Sequence, residues 1–209
     1  MTWALNNYGR LFTALGEHVV LVGMALVLSL AIAFPLGIYS ARRPRVYGPV
    51  IAIAGVFYTI PALALFAFLI PIMGLGTLPA VTALVLYSLV ILIRNIATGI
   101  REVPSDIIEA ADGMGYGPLR RLFRIELPLA SPVIVAGVRI TAVTQISVAT
   151  VAAYISAGGL GDIIFQGITQ DFGEKVAAGA MTTSLFAVLA DTGLRYIERQ
   201  LRAATAEPA

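Results

Sequence analysis

VYGPVIAIAGVFYTIPALALFAFLIPIMGLGTLPAVTALVLYSLVILI, residues 46–93, runs for 48 positions without an Asp, Glu, Lys or Arg. One crossing of a bilayer takes roughly 20 apolar residues at about 1.5 Å of rise each, so this run is too long for one span and suits two. Pro71 and the cluster Gly74-Leu75-Gly76-Thr77-Leu78-Pro79 break it near its middle, which predicts spans at about 50–70 and about 78–93. Working outward, Val19–Ala41 is uncharged and is closed by Arg42-Arg43-Pro44-Arg45, giving a span at 19–41. Pro128–Gly161 holds only Arg139 and predicts a span at 132–153; Val176–Leu194 holds only Asp191 and predicts one at 176–194. Backbone polar groups in lipid must be satisfied within their own segment. The expected fold is therefore all-α, a polytopic membrane protein with five transmembrane helices.

Composition agrees. Hydrophobic residues make up 58% of the 209 positions, charged residues 12%, and the mean hydropathy is +0.88. Soluble domains are about 45–50% apolar and about 25% charged, so soluble, disordered and fibrous classes are excluded. The absence of Cys excludes disulfides, thiolate metal sites and cysteine nucleophiles, and the single His18 excludes a multi-histidine metal site. A net charge of +2 says little by itself; no nucleic-acid partner is expected. The first apolar run is not a cleaved leader. It exceeds the usual h-region of about 7–15 residues, only Arg10 and Glu17 precede it as charges, and Ala31-Ile32-Ala33 lies in mid-span.

The basic residues set the orientation. Three arginines lie in 42–49, five in 94–128 and three after Leu194, against Arg10 and Lys175 on the other side. The N-terminal segment 1–16 is thus external, and the loop 94–128 and the tail 201–209 are cytoplasmic; Ala203–Ala209 reads as unstructured. Five crossings put the two ends on opposite sides, as the charges require.

The central loop concentrates charge: nine of the 26 formal charges fall within 94–124, and Glu126 follows. It reads as two short helices. Ser105 or Asp106 is placed to cap the first, with Glu109 completing a capping box, and Gly113-Met114-Gly115 ends it. Pro118 suits the first position of the second. Leu119, Leu122 and Phe123 fall on one face, with Arg120, Arg121 and Arg124 turned away. A solvated basic loop and a docking element for a cytoplasmic partner both fit this pattern.

The spacing inside the loop resembles a known signature. Glu109-Ala110-Ala111, three residues, Gly115, nine residues, Ile125, one residue, then Leu127-Pro128 is similar, position for position, to the EAA motif of permease subunits of ATP-binding-cassette importers of type I. The likeness runs from about residue 17 to 200. It is nearest to permeases for osmoprotectants (glycine betaine, carnitine, choline), through Thr59–Leu65, Gly74-Leu75-Gly76-Thr77, Leu86–Leu89, Arg94-Asn95 and Ala157–Gly161. No fused binding domain is expected after residue 200. The resemblance implies that Glu109, Ala110, Ala111 and Gly115, backed by Ile125, Leu127 and Pro128, form a coupling helix seated on a cytoplasmic ATPase dimer. It further implies a second permease subunit, identical or not, an extracytoplasmic substrate-binding protein, and location in a prokaryotic cell membrane. The chain has no G-x-x-x-x-G-K-[ST] phosphate loop. No cofactor is expected on it; ATP and Mg²⁺ would be bound by the partner ATPase, and the chain would not itself be an enzyme.

Other residues carry open alternatives. Arg139 either snorkels to the interface or pairs with Asp191 as part of an inner gate, while Asp191 also stands four residues before Arg195. Gly158, Gly159 and Gly161 form either a plain turn or an external gate or scaffold. Pro61 is a kink, or marks a broken helix that lines a path. Phe57, Tyr58, Phe66, Phe68 and Tyr87 are aromatics in the middle spans, expected mostly to face lipid or partner helices. Gly99-Ile100-Arg101 and Arg94-Asn95 are expected to orient the loop. The same EAA loop admits a methionine-type amino-acid permease. A stand-alone channel or secondary carrier would need intramembrane acids beyond Asp191, and a membrane-embedded enzyme lacks paired carboxylates or a G-x-S-x-G elbow.

Overall fold

The computed structural model describes residues 2–206. Its elements are α1 Thr2–Asn6, α2 Tyr8–Arg42, α3 Pro44–Thr59, α4 Ala62–Met73, α5 Thr77–Arg101, α6 Ser105–Gly113, α7 Pro118–Arg121, a π turn Leu122–Glu126, α8 Leu127–Val151, a 3-10 turn Ala152–Ile155, α9 Leu160–Thr169 and α10 Gly173–Ala206. No strand occurs among the described residues. Helix α2 begins at Tyr8, so the external segment has no break at residue 16, and α10 carries helix through Ala206, beyond the expected end of order. Residue 1 and residues 207–209 of the tail lie outside the described residues.

Four segments are long and apolar enough to cross alone: Tyr8–Arg42, Thr77–Arg101, Pro118–Ile155 and Gly173–Ala203. The expected span at 50–70 is the pair α3 and α4, bent by 96° at Ile60-Pro61. Pro61 has no N–H to continue the ladder, and Ile60 before it is held extended (φ −70°, ψ 128°). The carbonyl of Ile60, left without a helical partner, accepts the Tyr87 hydroxyl of α5. Tyr58 packs edge-on to the Tyr87 ring at 5.9 Å. Tyr87 therefore supports the break and does not face lipid, and Phe66 is likewise fully buried.

Contacts at the helix ends fix the topology. Arg101, ending α5, donates to the carbonyls of Ser40 (2.6 Å) and Ala41 (3.2 Å), ending α2. The two helices therefore run in the same direction, and α3 with α4 must return the chain across the bilayer between them. The Gly76 amide donates to the Ile155 carbonyl at 2.7 Å, so α5 starts where α8 ends. Arg139 of α8 meets Glu198 of α10, so these two are antiparallel. The result is five crossings, with the bent pair counted as one.

Helix α5 is the core. In its apolar window 67% of residues are buried, against 28% for α2 and 17% for α10, which leaves α2 and α10 as flanks whose outer faces meet lipid or other subunits. Small residues let backbones approach where there is no water to drive association. A Cβ on Gly37 would come within 2.6 Å of Ile96, and one on Gly137 within 2.7 Å of the Asn95 side-chain amide carbon. Polar links tie the same three helices: Gln145 of α8 donates to Ser88 of α5 at 2.7 Å and to Ser29 of α2 at 3.2 Å.

A candidate coupling site on the cytoplasmic face

Helix α6 starts at Ser105, so its cap falls one residue before the first expected one. Pro104 occupies that place with no side-chain cap bond, and its carbonyl accepts the Ile108 amide. Ser105 and Asp106 are thereby drawn into the first turn. Asp106 still complements the helix dipole there.

The other end of α6 gives a physical reason for the Ala-Ala-x-x-x-Gly spacing. The Tyr116 amide donates to the Ala111 carbonyl (3.1 Å) and the Gly115 amide to the Asp112 carbonyl (2.9 Å). Those paired bonds define a Schellman cap, which needs a left-handed residue between them. Gly115 supplies it at φ +79°. Ala111 is buried (1% exposed), whereas Glu109 and Ala110 are exposed and Met114 is 67% exposed. The helix therefore presents the Glu109 carboxylate beside the small Ala110.

The second half of the loop differs from the expected face. Leu122 is buried, but Leu119 and Phe123 are 71% and 63% exposed. Arg121 turns inward: its Nη1 binds the Asp112 carboxylate and its Nε the Glu126 Oε1 at 2.9 Å. The π turn at Leu122–Glu126 breaks the 3.6-residue period on which the expectation rested. Ile125 is half-buried, Leu127 packs on the cluster around Leu92, Ile96 and Leu122, and Pro128 is exposed. Arg101 anchors the start of the loop through the α2 carbonyls and stacks on Tyr47 at 4.3 Å.

Arg139 and Asp191 do meet. Arg139 Nε lies 2.8 Å from Asp191 Oδ1, and Nη1 lies 2.5 Å from Glu198. Asp191 also binds Arg195 at 2.8 Å, and Glu198 binds Arg202 at 2.9 Å. Snorkelling alone does not describe an Arg whose two edges are both held, and the local Asp191–Arg195 pair coexists with the interhelical one. Arg139→Glu is expected to weaken the α8–α10 contact, and adding Asp191→Arg to restore it only in part, because Glu198 would still face the new carboxylate. The coupling for such a contact network is about 0.5–3 kcal/mol. A triple variant with Glu198→Arg should recover more, as read by melting of the purified protein; equal stability of all three variants would show that the network holds nothing.

On the outer side, Gly158 (φ +79°) and Gly159 (φ +82°) form a turn clamped by α2. The Gly159 amide donates to Glu17 Oε2 at 2.9 Å, and the neighbouring His18 donates from Nε2 to the Ile146 carbonyl at 3.1 Å. Gly161 starts α9 against the Thr150 carbonyl of α8. Burial, and secondarily the Glu17 carboxylate, push the Asp162 carboxyl above its ordinary range. An open cleft of about 740 Å³ lies beside this turn, lined by Glu17, Met24, Asp162, Phe165 and Gln166. Sequence reasoning singled out the glycines but missed Glu17 and His18 as their clamps, since nothing local marks a contact 142 residues away. It also missed Glu126, Gln145 and the structural use of Tyr87.

A five-crossing apolar bundle with an exposed, rigidly capped charged helix on its cytoplasmic side is the architecture of a transporter's membrane subunit. The chain belongs to the family "Binding-protein-dependent transport system inner membrane component", which it matches over residues 33–203. It is a multi-pass protein of a prokaryotic cell membrane and a permease subunit of that transport class.

Three relatives are similar over most of their length. The choline transport system permease protein OpuBB of Bacillus subtilis (strain 168) is 38% identical over 196 residues, 94% of this chain and 90% of that one. The carnitine transport permease protein OpuCD of Listeria monocytogenes serotype 1/2a (strain 10403S) is 44% identical over 186 residues, 88% and 83% of the two chains. The osmoprotectant import permease protein OsmW of Salmonella typhimurium (strain LT2) is 38% identical over 201 residues, 94% of each. The fold matches a chain of the inward-facing MetNI methionine ABC transporter with TM-score 0.84, covering 93% of this chain and 97% of that one at 23% identity.

Proposed function

We propose that this chain is the path-forming subunit of an ATP-driven importer for a compatible solute bearing a quaternary ammonium group: choline, carnitine or glycine betaine. The observation that carries the ATP-driven part is the exposed Glu109-Ala110 face of α6, locked by the Gly115 cap. Met114, Leu119 and Phe123 of the same loop are exposed, and apolar side chains together with a charged contact are the composition of a protein interface. A cytoplasmic ATPase dimer docks there and binds the ATP and Mg²⁺. A second permease copy or paralogue covers the exposed flanks, and an extracytoplasmic binding protein delivers solute to the outer side. In this reading Gly158, Gly159 and Gly161 form the outer scaffold, and the Arg139–Asp191 pair with Glu198 forms the inner latch.

Sequence likeness over nearly the whole chain supports the solute class, since the relatives named for choline, carnitine and osmoprotectants share 38–44% of their residues with it. The methionine transporter shares the fold. Proteoliposomes holding the chain with its ATPase and second permease, supplied with binding protein, should take up labelled choline, carnitine or glycine betaine in the presence of ATP and leave methionine outside. Methionine uptake alone would overturn the solute class, and uptake without ATPase would overturn the mechanism.

A further inference from the structure

Glu126 is 4% exposed, yet it is a carboxylate on the cytoplasmic edge of an apolar bundle. Two arginines from different elements hold it. Arg42, the last residue of α2, places Nη2 at 3.2 Å from Oε1 and 3.3 Å from Oε2. Arg121 of α7 places Nε at 2.9 Å from Oε1, and its other edge grips Asp112 at the end of α6. Arg42 also reaches the Pro118 carbonyl at 3.4 Å. An unbroken chain of charge-assisted bonds therefore runs from the coupling helix to the first span: Asp112, Arg121, Glu126, Arg42.

The backbone is shaped for this chain. Arg121 and Glu126 are five residues apart. In an α-helix such positions point about 140° away from each other, at about 100° per residue. The π turn over Leu122–Glu126 widens the helix by one residue, closes with the Leu127 amide on the Leu122 carbonyl, and brings the two side chains to one face. Pro128, which has no amide to offer, follows directly. A π turn in an otherwise α-helical run is rare and concentrates at functional positions.

We propose that Glu126 is the positioning residue that makes the coupling helix and the first span move as one body, so that motion imposed on α6 reaches α2. This deepens the reading given above and rests on it. The α6–α7 hairpin touches the bundle through few packing contacts, with only Ala111 of α6 buried, so a force applied at Glu109 needs a stiff link to act on the membrane part. A buried carboxylate between two guanidinium groups is such a link. Removing its charge leaves both arginines without their shared partner. Glu109 lines the same cleft as Arg42, Arg121 and Glu126, so docking is followed separately, by recovery of the ATPase.

The test uses the complete importer in proteoliposomes, with whichever of choline, carnitine or glycine betaine the wild type imports. In Glu126→Gln, the ATPase should co-purify at wild-type stoichiometry and hydrolyse ATP within about twofold of wild type, while solute imported per ATP falls about tenfold. Arg42→Gln should give the same fall, and the double variant should be no worse than either single one, as expected for residues acting as one unit. Arg42→Lys, which keeps the charge, should recover part of the import. If Glu126→Gln fails to accumulate in the membrane, Arg42→Gln carries the measurement. Wild-type import per ATP in both single variants would overturn the proposal, as would loss of the ATPase from the complex, which would make Glu126 a docking residue. A wild-type importer that moves none of the three solutes would instead count against the solute class and leave this ratio to be read with its actual cargo.

Discussion

Glu109→Lys is expected to leave the chain in the membrane at normal abundance, to strip the ATPase from the purified complex and to reduce import by a hundredfold or more. Glu109 is exposed on α6 and makes no ion pair among the described residues, so its charge is available to a partner. It contributes nothing visible to the fold of its own chain, and a surface substitution of that kind shifts stability by no more than about 0.5 kcal/mol. The interface is another matter. Truncating one member of a desolvated charge pair costs about 2–5 kcal/mol, and reversing it adds repulsion. At about 1.4 kcal/mol per tenfold, even the lower half of that range gives about thirty- to three-hundredfold weaker docking. The neighbouring Ala110 sharpens the measurement, because Ala110→Trp should block the same face by bulk without altering charge. Co-purification and solute uptake measured on both variants decide the matter; normal ATPase recovery with either would mean that the α6 face is not where the motor sits.

That face was legible in the sequence because the physics that builds it is local. The cap that ends α6 joins Ala111 to Tyr116 and Asp112 to Gly115, all within six positions, and only a glycine takes φ +79° there without strain. The spans around α5, α8 and α10 were legible for a similar reason, since a long apolar run with at most one charge, bordered by arginines at its cytoplasmic end, has few alternatives in a bilayer. Legibility failed where a distant element decides the outcome. Pro61 announces a break, but a 96° bend held open by Tyr87 is fixed by a residue 27 positions after Ile60, whose carbonyl it binds. Leu119, Leu122 and Phe123 share a face on a 3.6-residue period, but only Leu122 is buried, and the π turn over Leu122–Glu126 changes the period and turns Arg121 inward. Glu126 looked like one more charge in a basic loop, because Arg42, its partner from the first span, lies 84 residues away. Local rules thus recover the helix caps and the crossings. The ion pairs that connect α6 to the bundle belong to the tertiary fold and had no local sign.

The outer face offers the other large effect. Gly161→Ala should lower the melting temperature of the purified protein by about 5–10 °C, and Gly161→Val should prevent its accumulation. A Cβ at this position would overlap the Thr150 carbonyl oxygen, and would stand 2.8 Å from the carbonyl carbon and 2.9 Å from the Ala153 Cβ. Those atoms are backbone and a rigid methyl at the end of α8, not the tip of a side chain that can swing away, so α9 must move instead. Helix α9 is itself pinned on its other side. Gly167 lies against Val176 and Gly179 against Ile164, each at a virtual Cβ distance of 2.7 Å, so α10 must follow or the contact must open. Overpacking of this kind costs about 1–3 kcal/mol, and a domain near this size loses about 2–4 °C per kcal/mol. The Gly158-Gly159 turn precedes Gly161 directly, and its amide bond to Glu17 would be the first link drawn off its partner, uncoupling α9 from α2. Gly173→Ala is the control. Nothing lies within 4 Å of a Cβ there, and the melting temperature should not change. If Gly161→Ala melted with the control, the close approach of α9 to the end of α8 would not be what holds the outer half of the bundle together.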